Sequence, residues 1–332
     1  MKGDIDEIVR EHGPWTAMAI RLADGSYTHE PAPDYRLRRL VQAAQDLIGK
    51  PLSQCRVLDL ACLEGHYAIE FAMHGAEALG IEGRAASVAK CEFARRNLGL
   101  ERVRFEQDDV RHLSREKHGV FDIVICSGLL YHLPARDAQA LIAAMYETCS
   151  RMLIIDTFIS LEGRDAVDIA GSERRGHYYG EHLPGESARE RERKLWASLD
   201  NDTSFWFTEP SLMNMLAAEG FTSVVDVLEP NMPGNPRDRK TYVALKGTRA
   251  TVLSSEPTDR AAREPHREGP NNLVDASQAP AGPLFLAAKR LLPQSVKDVI
   301  KPLLRAVRVL PPDTTPAFQR GDRSRNEAPP KP

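Results

Sequence analysis

Short apolar runs alternate along the first 250 positions with stretches in which apolar residues return every three or four positions. The runs suit strands that are buried on both faces, whereas the intervening spacing is typical of amphipathic helices. This alternation predicts parallel α/β units. The predicted parallel strands are Val57–Leu60, Ala76–Glu82, Arg102–Phe105, Val120–Ser127 and Arg151–Ile155.

The later part of this pattern predicts the last helix and the last strands of the sheet. A helix should begin after Thr208 as its N-cap and end at Gly220, since Pro210 fits its first turn. The segments Phe221–Leu228 and Lys240–Leu245 then form an antiparallel hairpin. Further helices are predicted over Ala85–Leu98 and Ala135–Ser150. We therefore expect an α/β fold with a Rossmann-like, seven-stranded, mostly parallel sheet, helices on both faces and an antiparallel last strand.

Residues 1–50 precede the first core strand and form an extension. A polar helix is followed by the alternating run Thr16–Leu22, a strand or hairpin with Asp24-Gly25 as its turn. Arg36–Ile48 is predicted to be an amphipathic helix. The extension either roofs a ligand site or packs on the sheet edge.

Two acidic residues at strand ends narrow the class of ligand. The first strand runs into Asp59 and a tight loop before a helix, which places backbone N–H groups beside a ligand. The second strand ends in Glu82, which can bind both hydroxyls of a ribose. A dinucleotide site needs Gly-x-Gly-x-x-Gly, but only Gly65 remains, and Asp59 would repel a pyrophosphate. A sulfonium cofactor with an amino group and no phosphate fits these charges.

The segment from Arg56 to Tyr67 resembles motif I of the class I S-adenosylmethionine (SAM) methyltransferases, usually Val-Leu-Asp-x-Gly-x-Gly-x-Gly. Asp59 and Gly65 match that motif, while Ala61 and Leu63 stand where it has glycines. The resemblance covers about residues 50–247. It implies SAM as the cofactor, bound by Asp59, Ala61, Gly65, Tyr67, Glu82, Gly83, Asp109, Val110 and Ser127.

The segments that follow the third and fourth strands also resemble the family, and the resemblance implies roles for them at the adenine and at the methyl group. After the third strand, Asp109 is favoured over Asp108 to accept from the adenine amine, although either acid can cap a helix instead. The exit of the fourth strand resembles the Tyr/His-His-Leu segment of the family and would face the methyl group. His132 there is either a general base or a residue that packs over the cofactor. His177 and Asp156 are the alternative bases.

No spacing of His, Asp or Cys predicts a metal site, although Asp156 with another carboxylate could hold Mg²⁺ as in the catechol-type branch of the family.

An insertion at about 160–207 is expected to form a substrate lid, because it contains the polar and aromatic cluster Arg174–His182. A solvated loop is the alternative. The substrate residues expected from these segments are Tyr131, Tyr178, Tyr179 and Trp206.

Composition and charge limit the partners. The 332 residues carry a net charge of −3, which divides into about −7 for residues 1–250 and about +4 for the rest. An acidic catalytic part disfavours a nucleic-acid substrate. The five cysteines show no C-x-x-C spacing and are expected to be reduced core thiols. Met1–Glu11 is mostly charged and no apolar run reaches membrane length, so a cytoplasmic location is expected.

The tail, residues 248–332, is predicted to be mostly disordered, because it is rich in proline and charge. Within it, about 283–310 has basic residues on one face and aliphatic residues on the other, which predicts an amphipathic helix. Pro293 and Pro302 should interrupt or kink it. The helix could lie on an anionic membrane, dock on a partner or cap the catalytic domain.

These observations predict a methyltransferase acting on an oxygen or nitrogen of a small molecule or of a cell-surface glycan precursor. An alternative is a tRNA-modifying enzyme, since the segments from Trp15 to Gly25 and Phe205 to Ser211 look distantly like the wobble-uridine tRNA carboxymethyltransferases. Another is a SAM-binding scaffold without turnover, which the missing glycines at 61 and 63 keep open. The oligomeric state is not predicted.

Overall fold

A computed structural model gives the fold of residues 2–194, 196–231, 234–257 and 265–268. The main sheet has seven strands in the order β3-β2-β1-β4-β5-β10-β9, and β10 runs antiparallel to both of its neighbours. This confirms the predicted Rossmann-like sheet. Its strands are β1 Arg56–Leu60, β2 Glu77–Glu82, β3 Val103–Gln107, β4 Phe121–Ser127, β5 Cys149–Phe158, β9 Ser223–Asp226 and β10 Arg239–Leu245.

Helices cover both faces of this sheet. They are α1 Lys2–His12, α2 Tyr35–Leu47, α3 His66–Met73, α4 Ala85–Asn97, α5 Arg115–His118, α6 Ala135–Thr148, α7 Ala188–Arg193 and α8 Glu209–Glu219. The Asp34 carboxylate caps α2, and Thr208 caps α8 as predicted. Gly220 ends α8 in the left-handed conformation, in which a side chain is disfavoured.

The core lies on both sides of β1. Val57 packs with α2 and α3, whereas Leu58 and Leu60 pack with α6 and α8. Because the strand is apolar on both faces, it is fixed at the centre of the sheet. The five cysteines are buried and free, as expected for reduced core thiols. The strand order reverses between β1 and β4, so a crevice is expected above their carboxyl ends.

The insertion contains a second antiparallel sheet, whose strands were not predicted from the sequence. Its strands are β6 Asp165–Ile169, β7 Ser172–Gly180 and β8 Thr203–Phe207. The alternative of a solvated loop over Arg174–His182 is therefore wrong, since most of that cluster lies in β7. The sequence shows no strand pattern there because β7 is polar along most of its length. The backbones of β7 and β8 approach closely at Gly176, where a Cβ would lie 2.1 Å from the Trp206 carbonyl oxygen.

Part of the tail contacts the catalytic domain. Both Glu268 carboxylate oxygens accept from the Thr208 hydroxyl, at 2.7 and 2.8 Å, and one accepts from Ser211 at 2.5 Å. An acid at this position also complements the N-terminal dipole of α8. The helix predicted over 283–310 lies outside the described residues. In the part of the chain that the structure covers, no helix is long and apolar enough to cross a membrane.

Candidate functional site

The loop between β1 and α3 takes an unusual backbone path. Ala61 and Leu63 have φ angles of 52° and 47°, so both adopt the left-handed conformation, and Gly65 follows with a φ of 82°. Side chains in this conformation cost about 1–2 kcal/mol per residue. The loop thus keeps the backbone shape for which glycine is suited even though two glycines are absent. A Cβ at Gly65 would lie 2.8 Å from the Phe105 ring.

Two carboxylates are buried beneath this loop. Glu82 accepts from the Leu63 amide at 3.0 Å and the Arg84 amide at 2.8 Å, while Asp59 accepts from the Ala68 amide at 3.2 Å. Burial raises the pKa of Asp59 to about 8, and the charge of Glu82 adds to this rise. Burial also raises the pKa of Glu82. Among the described residues no lysine or arginine lies within 4.0 Å of Asp59. A ligand with a positive charge would supply the opposite charge that Asp59 lacks.

The N-terminal extension is tied to the same loop. Glu64 accepts from the backbone amides of Thr16 and Ala17 at 3.0 Å, and its ion pair with Lys90 is 3.0 Å long. Both charged side chains are nearly inaccessible, which strengthens their attraction but makes it costly to break. His66, at the start of α3, lies 3.4 Å from Asp34 of the extension. The extension and the loop therefore form one connected unit.

Acidic residues after β3 occupy the next position along the sheet edge. Asp109 caps the short turn Val110–His112, since it accepts from the Arg111 amide at 2.9 Å, and its side chain also pairs with the Arg111 guanidinium. Asp108 pairs with Lys117 at 2.5 Å. Burial alone would raise the pKa of both carboxyls, but these hydrogen bonds lower it overall, to about 2 for Asp108. Both acids are therefore ionised at neutral pH.

The second half of the insertion crosses over this region, and we call residues 183–194 and 196–202 the strap. Arg84, directly after Gly83, donates to three strap carbonyls, those of Glu192, Lys194 and Ala197, at 3.1–3.3 Å. A Cβ at Gly83 would lie 3.2 Å from the Leu199 side chain. The strap therefore covers the ends of β2 and β3, where the ribose and adenine residues were predicted.

The carboxyl ends of β4 and β5 carry a second group of predicted residues. Ser127 donates to the Tyr67 hydroxyl at 3.4 Å. Asp156 has no exposed surface and accepts from Arg239 at 2.6 Å and Thr241 at 2.6 Å, with Arg36 at 3.2 Å. Burial alone would raise the pKa of Asp156, but the two guanidinium groups lower it overall. Asp156 is thus an ionised anchor for two arginines.

An aromatic cluster lies beside this anchor. The Trp206 ring stacks with Phe158 and with Tyr179, at centroid distances of 4.8 and 4.9 Å, and Tyr131 meets it edge-on at 5.7 Å. The buried indole N–H of Trp206 has no hydrogen-bond partner among the described residues. Tyr178 points to the opposite face of β7, where it packs on Phe205 at 5.0 Å. The structure brings together Tyr131, Tyr179 and Trp206 and separates Tyr178 from them.

Two histidines border the cluster. His132 lies in the turn after β4, and its Nδ1 is 3.1 Å from both carboxylate oxygens of Glu181. His177 lies against Trp206 at 5.2 Å, and its Nδ1 is 2.8 Å from the Ser160 hydroxyl. Burial lowers the pKa of His177. In the described residues no group of three or more His, Cys, Asp or Glu side chains could hold a metal ion.

Comparison with known proteins identifies the fold and its family. Residues 51–164 match the profile of the Methyltransferase domain family. This part of the chain is a domain of the class I SAM-dependent methyltransferase family. Ubiquinone biosynthesis O-methyltransferases of Acinetobacter baumannii and Acinetobacter baylyi are 30% identical to this chain over 99 residues, which are 30% of this chain and 40% of each relative. The similarity thus spans less than half of their length.

A similar solved structure covers more of this chain. The N-terminal domain of EvdMO1, crystallised in the presence of S-adenosylhomocysteine (SAH) and D-fucose, is 22% identical, with a TM-score of 0.58. The match covers 74% of this chain and 97% of that domain, and it shows a shared fold. The shared fold therefore includes more than the 114 residues of the family profile.

Several residues of the site were not anticipated from the sequence. They are Arg36, Arg84, Glu181 and Arg239. Arg239 stacks 4.8 Å from the Phe158 ring and donates to the Tyr131 hydroxyl at 3.0 Å. These residues belong to no motif, and each acts on a partner far away in sequence. Only the pairing of β10 with β5 could have indicated Arg239, because it brings that residue opposite Phe158.

Proposed function

We propose that this chain transfers a methyl group from SAM to a hydroxyl oxygen of a small molecule, with sugars as the first acceptors to test. The observation that carries the proposal is the buried, unpaired Asp59 next to Glu82 at adjacent strand ends. A sulfonium or ammonium group would favour the ionised form of both carboxyls and compensate the charges that they then carry. The cofactor would be held by Asp59 and the loop from Ala61 to Gly65 at one end, and by Glu82 and Asp109 at the other.

The bound cofactor supplies an electrophilic methyl group, and the transfer is an in-line displacement that needs little covalent help. Most of the rate enhancement would then come from aligning the acceptor in a site that excludes water. The acceptor hydroxyl must lose its proton as the carbon–oxygen bond forms. We assign this proton to Nε2 of His132, because the other ring nitrogen, Nδ1, is the one that contacts Glu181.

The other two candidate bases are less suited to this role. Asp156 has no exposed surface, and its oxygens already accept from arginine and threonine side chains, so a substrate proton has no access to it. We therefore assign Asp156 to holding Arg239 and Arg36 in place. His177 remains neutral because burial lowers its pKa, but Ser160 occupies its Nδ1 and the ring packs on Trp206. We assign it to the wall of the acceptor site.

The acceptor site is proposed to lie at the aromatic cluster of Tyr131, Phe158, Tyr179 and Trp206. Because Phe158 and Tyr179 already stack with Trp206, we expect an acceptor ring to contact the partly exposed Tyr179. The unpartnered indole N–H can donate to an acceptor hydroxyl. D-fucose in the EvdMO1 crystals and the O-methyltransferase activity named for the Acinetobacter proteins support a hydroxyl acceptor.

A tRNA substrate is the second candidate to test, although the acidic charge of residues 1–250 disfavours it. The experiment supplies SAM with a labelled methyl group and a panel of free sugars, phenols and bulk tRNA, and follows the label by mass spectrometry. We expect label on a sugar or phenol oxygen and none on tRNA. Label on tRNA would overturn the acceptor class. SAM binding without transfer to any class would support a scaffold instead.

A further inference from the structure

Glu181 lies directly after β7 in the insertion, yet its carboxylate reaches the turn after β4. Both of its oxygens lie 3.1 Å from Nδ1 of His132, which is 49 positions earlier in the chain. The Glu181 side chain is 1% exposed and that of His132 17% exposed, so water competes little for this contact. Nothing in the motifs of the chain assigns a role to Glu181.

Three further contacts hold this pair in place. The Glu181 oxygens also accept from the Ser204 hydroxyl at 2.6 Å and from the Ser198 amide at 3.0 Å. The Asn201 side-chain amide donates to the His132 carbonyl oxygen at 3.1 Å. Burial alone would raise the pKa of Glu181, but its hydrogen bonds with His132, Ser204 and Ser198 lower it overall. Glu181 is therefore a fixed carboxylate.

A fixed carboxylate determines which imidazole nitrogen carries the proton. A carboxylate has acceptor sites only, so Nδ1 of His132 must be the donor of this hydrogen bond. In a neutral imidazole the other nitrogen, Nε2, is then unprotonated. The lone pair of Nε2 is available to accept a proton. The same carboxylate also stabilises the imidazolium that forms when that proton arrives.

We propose that Glu181 is a positioning residue that keeps His132 in the Nδ1–H tautomer and thereby makes Nε2 the proton acceptor for the methyl acceptor hydroxyl. The inference rests on the proposed function, since it gives that reaction its base. The proton moves from the acceptor oxygen to Nε2 as the new carbon–oxygen bond forms and the carbon–sulfur bond breaks. Glu181 itself remains a carboxylate throughout.

The kinetic test replaces Glu181 with glutamine in the full chain. The glutamine amide can turn its NH₂ toward Nδ1, which then accepts, so that Nε2 carries the proton and cannot act as a base. We expect kcat to fall about 10- to 100-fold with SAM affinity and acceptor KM within about threefold of wild type, because partners of this kind have effects of that size. Glu181→Asp, which keeps the charge, should recover part of the loss.

Glu186→Gln is the matched control. Glu186 lies in the strap, in the same insertion as Glu181, and makes an equivalent contact, 3.1 Å from Nδ1 of His182, but the described contacts of Glu186 do not include His132. We expect its kcat to stay within about threefold of wild type. If Glu186→Gln lost as much activity as Glu181→Gln, general loosening of the strap would explain both results and the proposal would fail.

A double-mutant cycle separates positioning from a structural role. If Glu181 acts through His132, then Glu181→Gln should have no further effect on kcat in a His132→Ala background. An equal loss in both backgrounds would overturn the proposal. Unfolding midpoints of all variants establish that they are folded; should Glu181→Gln not fold, Glu181→Asp and Ser204→Ala take its place in the cycle.

The tautomer of His132 can be measured by NMR, whether or not the protein transfers a methyl group. In protein labelled with ¹⁵N-histidine, the nitrogen chemical shifts of His132 should report protonated Nδ1 and unprotonated Nε2 in wild type and in Glu186→Gln, and a change toward protonated Nε2 in Glu181→Gln. An unchanged tautomer in Glu181→Gln would contradict the inference even if methyl transfer is active. The expected tautomer in a chain without transfer activity would instead point to failure of the proposed function.

Discussion

Arg111 joins Asp109, which follows β3, to Asp200 in the strap. One of its terminal nitrogens lies 2.5 Å from a carboxylate oxygen of each acid. The guanidinium thus connects the predicted adenine-binding acid to the segment that covers it. Together with the three strap carbonyls bound by Arg84, this contact holds the strap over the adenosine end of the proposed cofactor site.

Weakening this connection should speed the release of the cofactor product. Both side chains of the Arg111–Asp200 pair are more than a third exposed, so the pair contributes about 1 kcal/mol or less. We expect Asp200→Asn to raise the dissociation rate of SAH by about two- to fivefold at low salt, and less at high salt. Stopped-flow fluorescence of SAH release measures this rate.

The control for this experiment is Asp202→Asn. Asp202 pairs with Arg191 inside the strap and makes no side-chain contact with Asp109 or Arg111 among the described residues. Its dissociation rate should match that of wild type. Equal rates for wild type and Asp200→Asn at low salt would show that the contact does not restrain the cofactor.

Asp59 should reduce the stability of the cofactor-free protein. In the folded protein it keeps its proton up to about pH 8, whereas in the unfolded chain it loses it near pH 3.8. Between these values the folded state binds more protons, so the free energy of unfolding falls as the pH rises. Asp59→Asn removes this pH-dependent decrease in the free energy of unfolding, because asparagine does not titrate. We expect its thermal midpoint to exceed that of wild type by about 4 °C or more at pH 8, and by less at pH 5.

The same substitution should weaken cofactor binding. An amide lacks the charge that would attract a sulfonium or ammonium group, so SAM affinity should fall about tenfold or more. Stability and binding would then change in opposite directions, as is common for functional residues. Scanning calorimetry at the two pH values and a SAM titration together test this. Midpoints that coincide at pH 8 would contradict the assigned role of Asp59.

The central sheet was predictable from the sequence because its central strands are clear apolar runs. β1, β2 and β4 are apolar runs with an acid or a small residue at or next to their ends, and runs of this kind that are joined through helices pair in parallel. The positions of Asp59 and Glu82 followed directly, since they lie at or next to the ends of two strands that pair with each other. Local pattern and tertiary structure agree in this part of the chain.

The insertion could not be predicted in the same way. β7 consists mostly of polar, aromatic and glycine residues without an apolar alternation, and it pairs with β8, whose Phe205 packs into the core. Glu181 and Arg239 act through partners 49 and 83 positions away, so no local spacing reveals them. The conformation of Leu63 was equally hidden, because the surrounding contacts hold it against its own preference.

The basic segment predicted over 283–310 provides a test of membrane contact. The full chain should co-sediment with anionic lipid vesicles at low salt and be released at high salt, since each nearby Lys or Arg adds about 1 kcal/mol. A chain ending at residue 268 keeps the contact of Glu268 with Thr208 and should stay in the supernatant. If the full chain also stays in the supernatant at low salt, the membrane prediction is wrong.

The central claim is that Glu82 holds the ribose of SAM, and calorimetric titration of SAM into Glu82→Gln tests it most directly. Glu77→Gln is the control, because Glu77 begins the same strand and pairs with Arg56 at its far end. We expect wild-type affinity in Glu77→Gln. In Glu82→Gln we expect affinity at least about tenfold weaker, since hydrogen bonds to a charged group are each worth about 1.5–3 kcal/mol. Unchanged SAM affinity in a folded Glu82→Gln protein would contradict the account.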